Sequence, residues 1–343
     1  YGPHRMQVMY FWRAKSDKPT PLLFYIHGGG WANGDRSSVN GLLKSCLEAG
    51  ISVVSVEYRY IKDATADGVV PPVKGPMLDC ARALQLVRSK AKEWNLDKTR
   101  VVASGGSAGA CTSLWLAFHD DLADPQSADP IARESTRLLG AAVSSPQTSL
   151  DPKQMREWTP NSGYGAHAFG VTGDTAKKIS AFQAFFDARE RLLPWIKEYS
   201  PYELVTKDDP AVGLYFPTVP NIGKDEKDAT HSANFGVKLK EHCDTIKVPC
   251  ELVYRICWIQ RSDCVQLLGQ LLRRRPSRHL HRLSQQRHHS RPIVSVGHSR
   301  RRLRLPGQLV RSQRQRWMHA LRERRHLGWR SAGHHCLRMY VSG

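Results

Sequence analysis

Ser107 lies in the run Gly105-Gly106-Ser107-Ala108-Gly109, about eighty residues after a second glycine-rich run, His27-Gly28-Gly29-Gly30-Trp31. Together these residue types suit nucleophilic attack on a carbonyl. A serine hydroxyl is a poor nucleophile at its free pKa and must be lifted out on a tight turn beside a base. Glycines two before and two after Ser107 allow that turn, because side chains there would meet the neighbouring strand and helix. The first run supplies the other half of the chemistry. With no Cβ in the way, the N–H groups of Gly28 and Gly29 can approach a developing oxyanion, and the N–H of Ala108 is the third expected donor. Gly30 and Trp31 complete the pocket set, with Trp31 either a pocket wall or a core residue. A lone G-x-S-x-G is weakly specific, since glycine and serine are common in turns. The pair, each member directly after a strand-like apolar run, is far more specific. Neither a Walker lysine nor G-x-G-x-x-G spacing is present to make these runs phosphate loops.

Both motifs need strands that end where they begin. Leu22–Ile26 is a short apolar run leading into His27, and Arg100–Ser104 leads into the nucleophile turn. Ile51–Val56 is β-branched and reads as a strand, as do Leu139–Ser144, Ala211–Phe216 and Pro249–Tyr254. Helices are expected over Ser37–Ala49, Pro76–Asn95, Ala108–His119 and Asn234–Cys243. In the second of these, Met77, Cys80, Leu84, Val87, Ala91 and Trp94 recur at three and four. Strands alternating with helices predict the α/β class: a mostly parallel sheet covered by helices on both faces, with ligands beyond the carboxyl ends of the strands. Residues 146–204 break the alternation and are expected to form a cap over the site.

Composition changes abruptly along the chain. The net charge of +20 suggests a nucleic-acid binder, but residues 1–254 hold 18 Lys and 12 Arg against 29 acids, a balance of +1. Residues 255–343 hold 21 Arg and no Lys against Asp263 and Glu323, a balance of +19. This tail has nine His, lacks Asn, Thr and Phe, and shows no sustained helical or alternating period. Runs such as Arg273-Arg274-Arg275 repel one another and resist burial. The break falls inside a strand-like run rather than in a linker, so the tail reads as out-of-frame translation or disordered chain. A basic nucleic-acid-binding tail with Trp258, Trp317 and Trp329 is the rival. The eight cysteines form no C-x-x-C pair, and Cys46, Cys80 and Cys111 read as small core residues. Cys243 and Cys250 could bridge, with free thiols the preferred reading. No run of eighteen apolar residues exists to span a membrane. The chain starts at Tyr1 rather than Met, so a secretory signal upstream is conceivable and the compartment stays open.

At its two motifs the chain resembles the α/β-hydrolase fold, and within it the esterase/lipase branch carrying H-G-G-G-W and G-G-S-A-G. Feruloyl and acetyl-xylan esterases of the BD-FAE-like group are the nearest likeness. Glu57-Tyr58-Arg59-Tyr60, the helix with Asp79 and Arg82, Trp94-Asn95-Leu96-Asp97 and Asp209-Pro210-Ala211-Val212 extend it. The likeness covers about residues 5–254, so residues 1–254 are expected to form a hydrolase domain incomplete at its C-terminal end. It implies a Ser–Asp–His triad acting on a small-molecule or carbohydrate ester through an acyl-enzyme, with no cofactor and no metal. Ser107 carries over directly. The acid is sought in Pro217–His231, where Asp228 is favoured, Asp225 is the runner-up and Glu226 is also present. The histidine is expected soon after the last strand, within the tail, where His298 is the only candidate. His231, three residues from Asp228, is expected to be a polar loop residue. A peptidase of the prolyl-oligopeptidase type shares the nucleophile turn but not H-G-G-G-W. An inactive pseudo-hydrolase and a nucleic-acid binder are the alternatives from other classes. Asp120, Asp121, Asp124 and Asp129 read as a solvated face rather than a calcium site. His167, Phe182, Phe185 and Phe186 are possible substrate contacts or core.

Overall fold

The computed structural model describes residues 1–254, Gly269 and the backbone of residues 339–340. By internal contacts the chain divides into Tyr1–Ser277 with Arg338–Gly343, and Arg278–Leu337. The second unit lies outside the described residues, as do the out-of-frame reading of the tail, its nucleic-acid alternative and His298.

The strands are β1 (Met9–Trp12), β2 (Thr20–Ile26), β3 (Ser52–Val56), β4 (Leu96–Gly106), β5 (Gly140–Ser144), β6 (Ala211–Phe216), β7 (Cys250–Tyr254) and β8 (Met339–Tyr340). They form one sheet in the order β1-β3-β2-β4-β5-β6-β7-β8. β1 and β8 pair antiparallel at the two edges, and every other pairing is parallel. The helices are α1 (Asn40–Glu48), α2 (Ile61–Ala66), α3 (Lys74–Ser89), α4 (Ala108–Phe118), α5 (Pro152–Trp158), α6 (Ala181–Asp187), α7 (Arg189–Tyr199), α8 (Pro201–Leu204) and α9 (Asn234–Ile246). This is the α/β-hydrolase arrangement of a mostly parallel, helix-covered sheet.

Strand side chains alternate between the two faces. Leu22, Phe24 and Ile26 join the larger core with α3 and α4, whereas Leu23, Val53, Val102 and Ala142 meet Cys46 of α1 on the other side. Each fully buried Leu, Ile, Val or Phe contributes roughly 1.5–3 kcal/mol. All eleven residues of α4 are buried. Small residues such as Ala108, Gly109 and Ala110 let this helix lie close against the sheet.

Register aligns the carboxyl ends of four strands. Ile26 stands opposite Gly105, Gly106 opposite Ser144, and Ser144 opposite Tyr215. The loops leaving β2, β4, β5 and β6 therefore meet at one end of the sheet, where both glycine motifs emerge.

The main boundary differences from the sequence reading are at α1, α3 and β4. The helix expected from Ser37 opens as a 3-10 turn, Arg36–Val39, capped by Asp35, before α1 begins. α3 stops at Ser89, and the chain reaches β4 through further turns. Asn95 there takes φ +54°, and its amide donates to the carbonyls of Ser16 and Lys18. β4 consequently starts at Leu96 rather than Arg100.

The 146–204 insertion holds α5 to α8. Trp115 Nε1–H of α4 donates to Glu198 O in α7 at 2.9 Å. Phe182 and Phe185 are buried in the core, and Phe186 packs against it. Among the described residues the insertion lines none of the cleft that holds Ser107.

Candidate active site

Ser107 joins β4 to α4 with φ +53° and ψ −123°. A non-glycine residue at positive φ is strained by about 1–3 kcal/mol and is held there by its surroundings. Its N–H donates to Ser144 O of the adjacent strand at 3.0 Å. A Cβ on Gly109 would overlap the carbonyl oxygen of Ile26 and come within 2.5 Å of His27 O. One on Gly105 would overlap the same Ile26 oxygen and lie 2.8 Å from the Gly109 carbonyl carbon. Gly106 is different, since its nearest neighbour would be Ser144 O at 4.0 Å. The two outer glycines of the motif are thus required by the close approach of β2 to the start of α4.

His231 Nε2 lies 2.9 Å from Ser107 Oγ, and His231 Nδ1 lies 2.8 Å from Asp228 Oδ2. The carboxylate only accepts, so Nδ1–H donates to Asp228 and Nε2 is left to accept from the serine hydroxyl. The expectation of His231 as a bystander is corrected here. A separation of three appears too short for a relay in an extended loop, but residues 229–231 form a 3-10 turn with Asp228 as its N-cap. In a 3-10 turn positions i and i+3 eclipse, which sets both side chains on one side. Asp228 Oδ1 also accepts from His231 N at 3.2 Å, so one carboxylate caps the turn and orients the ring. The D-x-x-H spacing was the available signal.

Asp228, rather than Asp225 or Glu226, is the carboxylate that reaches the ring. Asp225 is exposed and makes no ion pair with His231. The main chain of Glu226 pairs with the Asn161 side chain through both its N–H and its C=O, at 3.1 and 2.8 Å. Buried Asn234 pins the long loop from within. Its Oδ1 accepts from Asn221 N at 2.7 Å, while its Nδ2 donates to Trp158 O and Thr159 Oγ1. Gln147, fully buried, donates from Nε2 to Thr230 O at 2.7 Å and so ties the segment after β5 to the histidine turn. Sequence reasoning named neither amide, because a buried Asn or Gln has no motif of its own.

A cleft of about 430 Å³ is lined by Gly28, Gly106, Ser107, Ser144, Ser145, Pro217, Asp228 and His231. These residues come from the loops after β2, β4, β5 and β6. The cleft is open, with the Asp228 side chain 61 % and the His231 side chain 35 % exposed. Ser145 also sits at positive φ, +48°, with its N–H donated to Tyr215 O.

The glycine loop has an inner and an outer part. Gly28 faces the nucleophile, and a Cβ there would stand 3.4 Å from Ser107 Cβ and 2.7 Å from Gly106 O. Gly29 has φ +107° and Gly30 φ +62°. Ala108 opens α4, and the first N–H groups of a helix have no intrahelical acceptor and carry the positive end of its dipole. Of the two readings of Trp31, wall or core, its burial fits the core. Its side chain is fully buried, and its Nε1–H donates to Thr112 Oγ1 at 2.9 Å beneath the loop. His167 is also drawn into the scaffold, donating from Nε2 to Gly30 O at 3.1 Å. Burial holds its imidazole below the ordinary histidine value, which keeps it a neutral donor.

Three of the four aspartates after α4 are committed locally, Asp124 Oδ1 accepting from Gln126 N at 3.0 Å. Asp121 accepts from Ser135, Thr136 and Ala123, and Asp129 pairs with Arg82 at 2.6 Å. Among the described residues no three metal-ligating side chains converge, and no helix is long and apolar enough to cross a membrane. Cys46, Cys80, Cys111, Cys243 and Cys250 are buried free thiols.

A strained serine between a parallel strand and a buried helix, facing an imidazole held by a carboxylate after β6, defines a member of the α/β-hydrolase fold. Residues 9–215 match the BD-FAE family, and the chain belongs to it. It is 30% identical over 148 residues to esterase LipC of Mycobacterium tuberculosis, an alignment covering 42% of this chain and 34% of that protein. The chain thus spans about a third of that curated relative's length. In solved structures it is similar to an acetyl ester-xyloside bifunctional hydrolase from Caldicellulosiruptor lactoaceticus, with TM-score 0.53, 21% identity and coverage of 72% of this chain and 75% of that one. A truncated carbohydrate esterase from gut microbiota matches with TM-score 0.56 and 14% identity, over 80% of this chain and 100% of that one.

Proposed function

We propose that this chain is a serine-dependent carboxylic ester hydrolase working through an acyl-enzyme. The observation that carries the reading is the His231 ring, within hydrogen-bond reach of both Ser107 Oγ and Asp228 Oδ2. In the first step Ser107 Oγ attacks the ester carbonyl carbon while its proton passes to His231 Nε2. Asp228 keeps Nδ1–H in place and offsets the charge of the imidazolium that forms. The N–H groups of Gly28, Gly29 and Ala108 receive the oxyanion. His231 then returns the proton to the leaving alcohol, and the carbonyl re-forms as Ser107 becomes acylated. Water repeats the sequence, with His231 taking its proton, and releases the acid.

Acylated carbohydrates are the proposed substrate class. Two things support it: an open cleft that suits an ester carried on a larger body, and the names of an acetyl ester-xyloside hydrolase and a carbohydrate esterase among structures sharing the fold. Turnover of p-nitrophenyl acetate and release of acetate from an acetylated xylo-oligosaccharide test the reading, with Ser107→Ala as the control. Activity that persists in Ser107→Ala, or a wild type that neither turns over nor reacts with a fluorophosphonate, overturns it.

A further inference from the structure

His27 is fully buried beneath the glycine loop, and both of its ring nitrogens are engaged. Nδ1 lies 2.8 Å from Gly28 O, and Nε2 lies 2.8 Å from Glu57 Oε1. A carbonyl oxygen only accepts, so the Nδ1 atom must carry a hydrogen and donate it to Gly28. Glu57 is itself held, because Oε2 accepts from Arg36 N at 3.3 Å and from Arg36 Nη1 at 3.2 Å. The Arg36 guanidinium lies 4.3 Å from the centre of the Tyr10 ring and donates from Nη2 to the Tyr10 hydroxyl at 3.1 Å. On its other side the His27 ring stacks on Tyr58 at 4.3 Å, and the Tyr58 hydroxyl donates to His27 O. Gly34 lies against the ring edge, where a Cβ would overlap His27 Nδ1.

The Gly28–Gly29 peptide is planar and trans, so its C=O and N–H point in opposite directions. Drawing Gly28 O down onto His27 therefore fixes the direction of Gly29 N–H, away from the His27 ring. Gly29 has φ +107°, and glycine alone moves freely about that value, so without an anchor this peptide would be free to rotate. We infer that Glu57 is a positioning residue for oxyanion stabilisation, acting through His27 on the Gly28–Gly29 peptide. The inference rests on the proposed role of Gly29 N–H as an oxyanion donor. Glu57 touches no substrate atom. It locks the tilt of His27, and His27 locks the donor.

Glu57→Met removes the carboxylate while keeping the length of the side chain, and Glu57→Gln keeps a polar partner for Nε2. Kinetics, inhibition by a trifluoromethyl ketone and amide hydrogen exchange at residues 28–31 are read on all three proteins. In Glu57→Met, kcat should fall by about 10–100-fold with KM within about threefold, since the oxyanion forms after substrate binds. The ketone, which forms an oxyanion on Ser107, should weaken by the same factor, and exchange at residues 28–31 should rise. Glu57→Gln should recover most of each loss. A kcat within twofold of wild type in Glu57→Met, equal losses in the two variants, or unchanged exchange at residues 28–31 overturns the inference. Should Glu57→Met fail to fold, His27→Asn and His27→Gln replace it. The Asn amide falls where Nδ1–H lies and should retain more activity, and parity between the two contradicts the relay. A wild type with no ester turnover would refute the hydrolase reading, and hydrogen exchange alone would then decide the positioning claim.

Discussion

Asp228→Asn is the substitution whose effect follows most directly from the geometry. The change keeps the size of the side chain, and asparagine caps a helical turn as well as aspartate does. The bond to His231 N should therefore survive, which turns the amide NH2 toward Nδ1, so the loss combines the missing charge with a ring pushed toward the tautomer that carries its proton on Nε2. Asp228 stabilises the imidazolium that forms on His231 as Ser107 attacks. Two unit charges about 4 Å apart interact by about 1 kcal/mol in water and about 4 kcal/mol at an effective dielectric near 20. With the Asp228 side chain 61 % exposed, the lower part of that range applies, about 1–3 kcal/mol. At about 1.36 kcal/mol per tenfold, the lost charge alone lowers kcat/KM roughly 5- to 150-fold, and the unfavourable tautomer deepens the loss toward the roughly 10⁴ of a buried triad aspartate changed in the same way. Asp228→Ala also removes the cap of the turn, worth about 0.5–2 kcal/mol of stability. The assay is p-nitrophenyl acetate hydrolysis across a range of substrate concentrations, with Asp225→Asn as the silent control. A loss under twofold, or an equal loss in Asp225→Asn, would refute its assignment as the acid.

Two further substitutions test the scaffold. Gly109→Ala should destabilise by roughly 3 kcal/mol or more, since its Cβ would meet two main-chain carbonyls that cannot move aside, whereas Gly106→Ala should stay within about 1 kcal/mol of wild type; urea denaturation separates them. Burial lowers the proton affinity of His167 below the ordinary 6.5, so the unfolded chain takes up this proton more readily than the folded one. The stability due to the neutral ring is full above pH 6.5 and is lost as pH falls below it. His167→Gln, which keeps a donor for Gly30 O, should flatten urea midpoints between pH 7.5 and 5. A difference between the two proteins that does not change with pH contradicts that reading. His242, also lowered by burial, is common to both.

The nucleophile half of the site was legible in the sequence because it is built from main chain. Gly105, Gly109 and Gly28 are glycine for steric reasons that act within one turn or across one pair of strands, so their spacing carries the geometry. Parallel register did the rest, since apolar runs such as Leu22–Ile26 and Arg100–Ser104 fix which loops share an end of the sheet. The base was not legible. His231 works from a turn of three residues whose geometry comes from its cap, and a separation of three carries opposite meanings in an extended loop and in a 3-10 turn. Trp31 stayed open between wall and core for the reverse reason. An aromatic residue beside an oxyanion loop suits a pocket wall, and only the position of Thr112 in α4 shows where its indole N–H goes. Composition marks the insertion without showing which surfaces it covers: α8 packs against α4, and His167 reaches Gly30 O.

The service of His231 to Ser107 is tested most directly by fluorophosphonate labelling of the full chain, with the adduct located by peptide mass analysis. The account predicts one stoichiometric adduct, on Ser107, formed at least about 10³-fold more slowly in His231→Ala. Labelling of Ser107 at the wild-type rate in His231→Ala would show that another base activates the serine and would contradict the account.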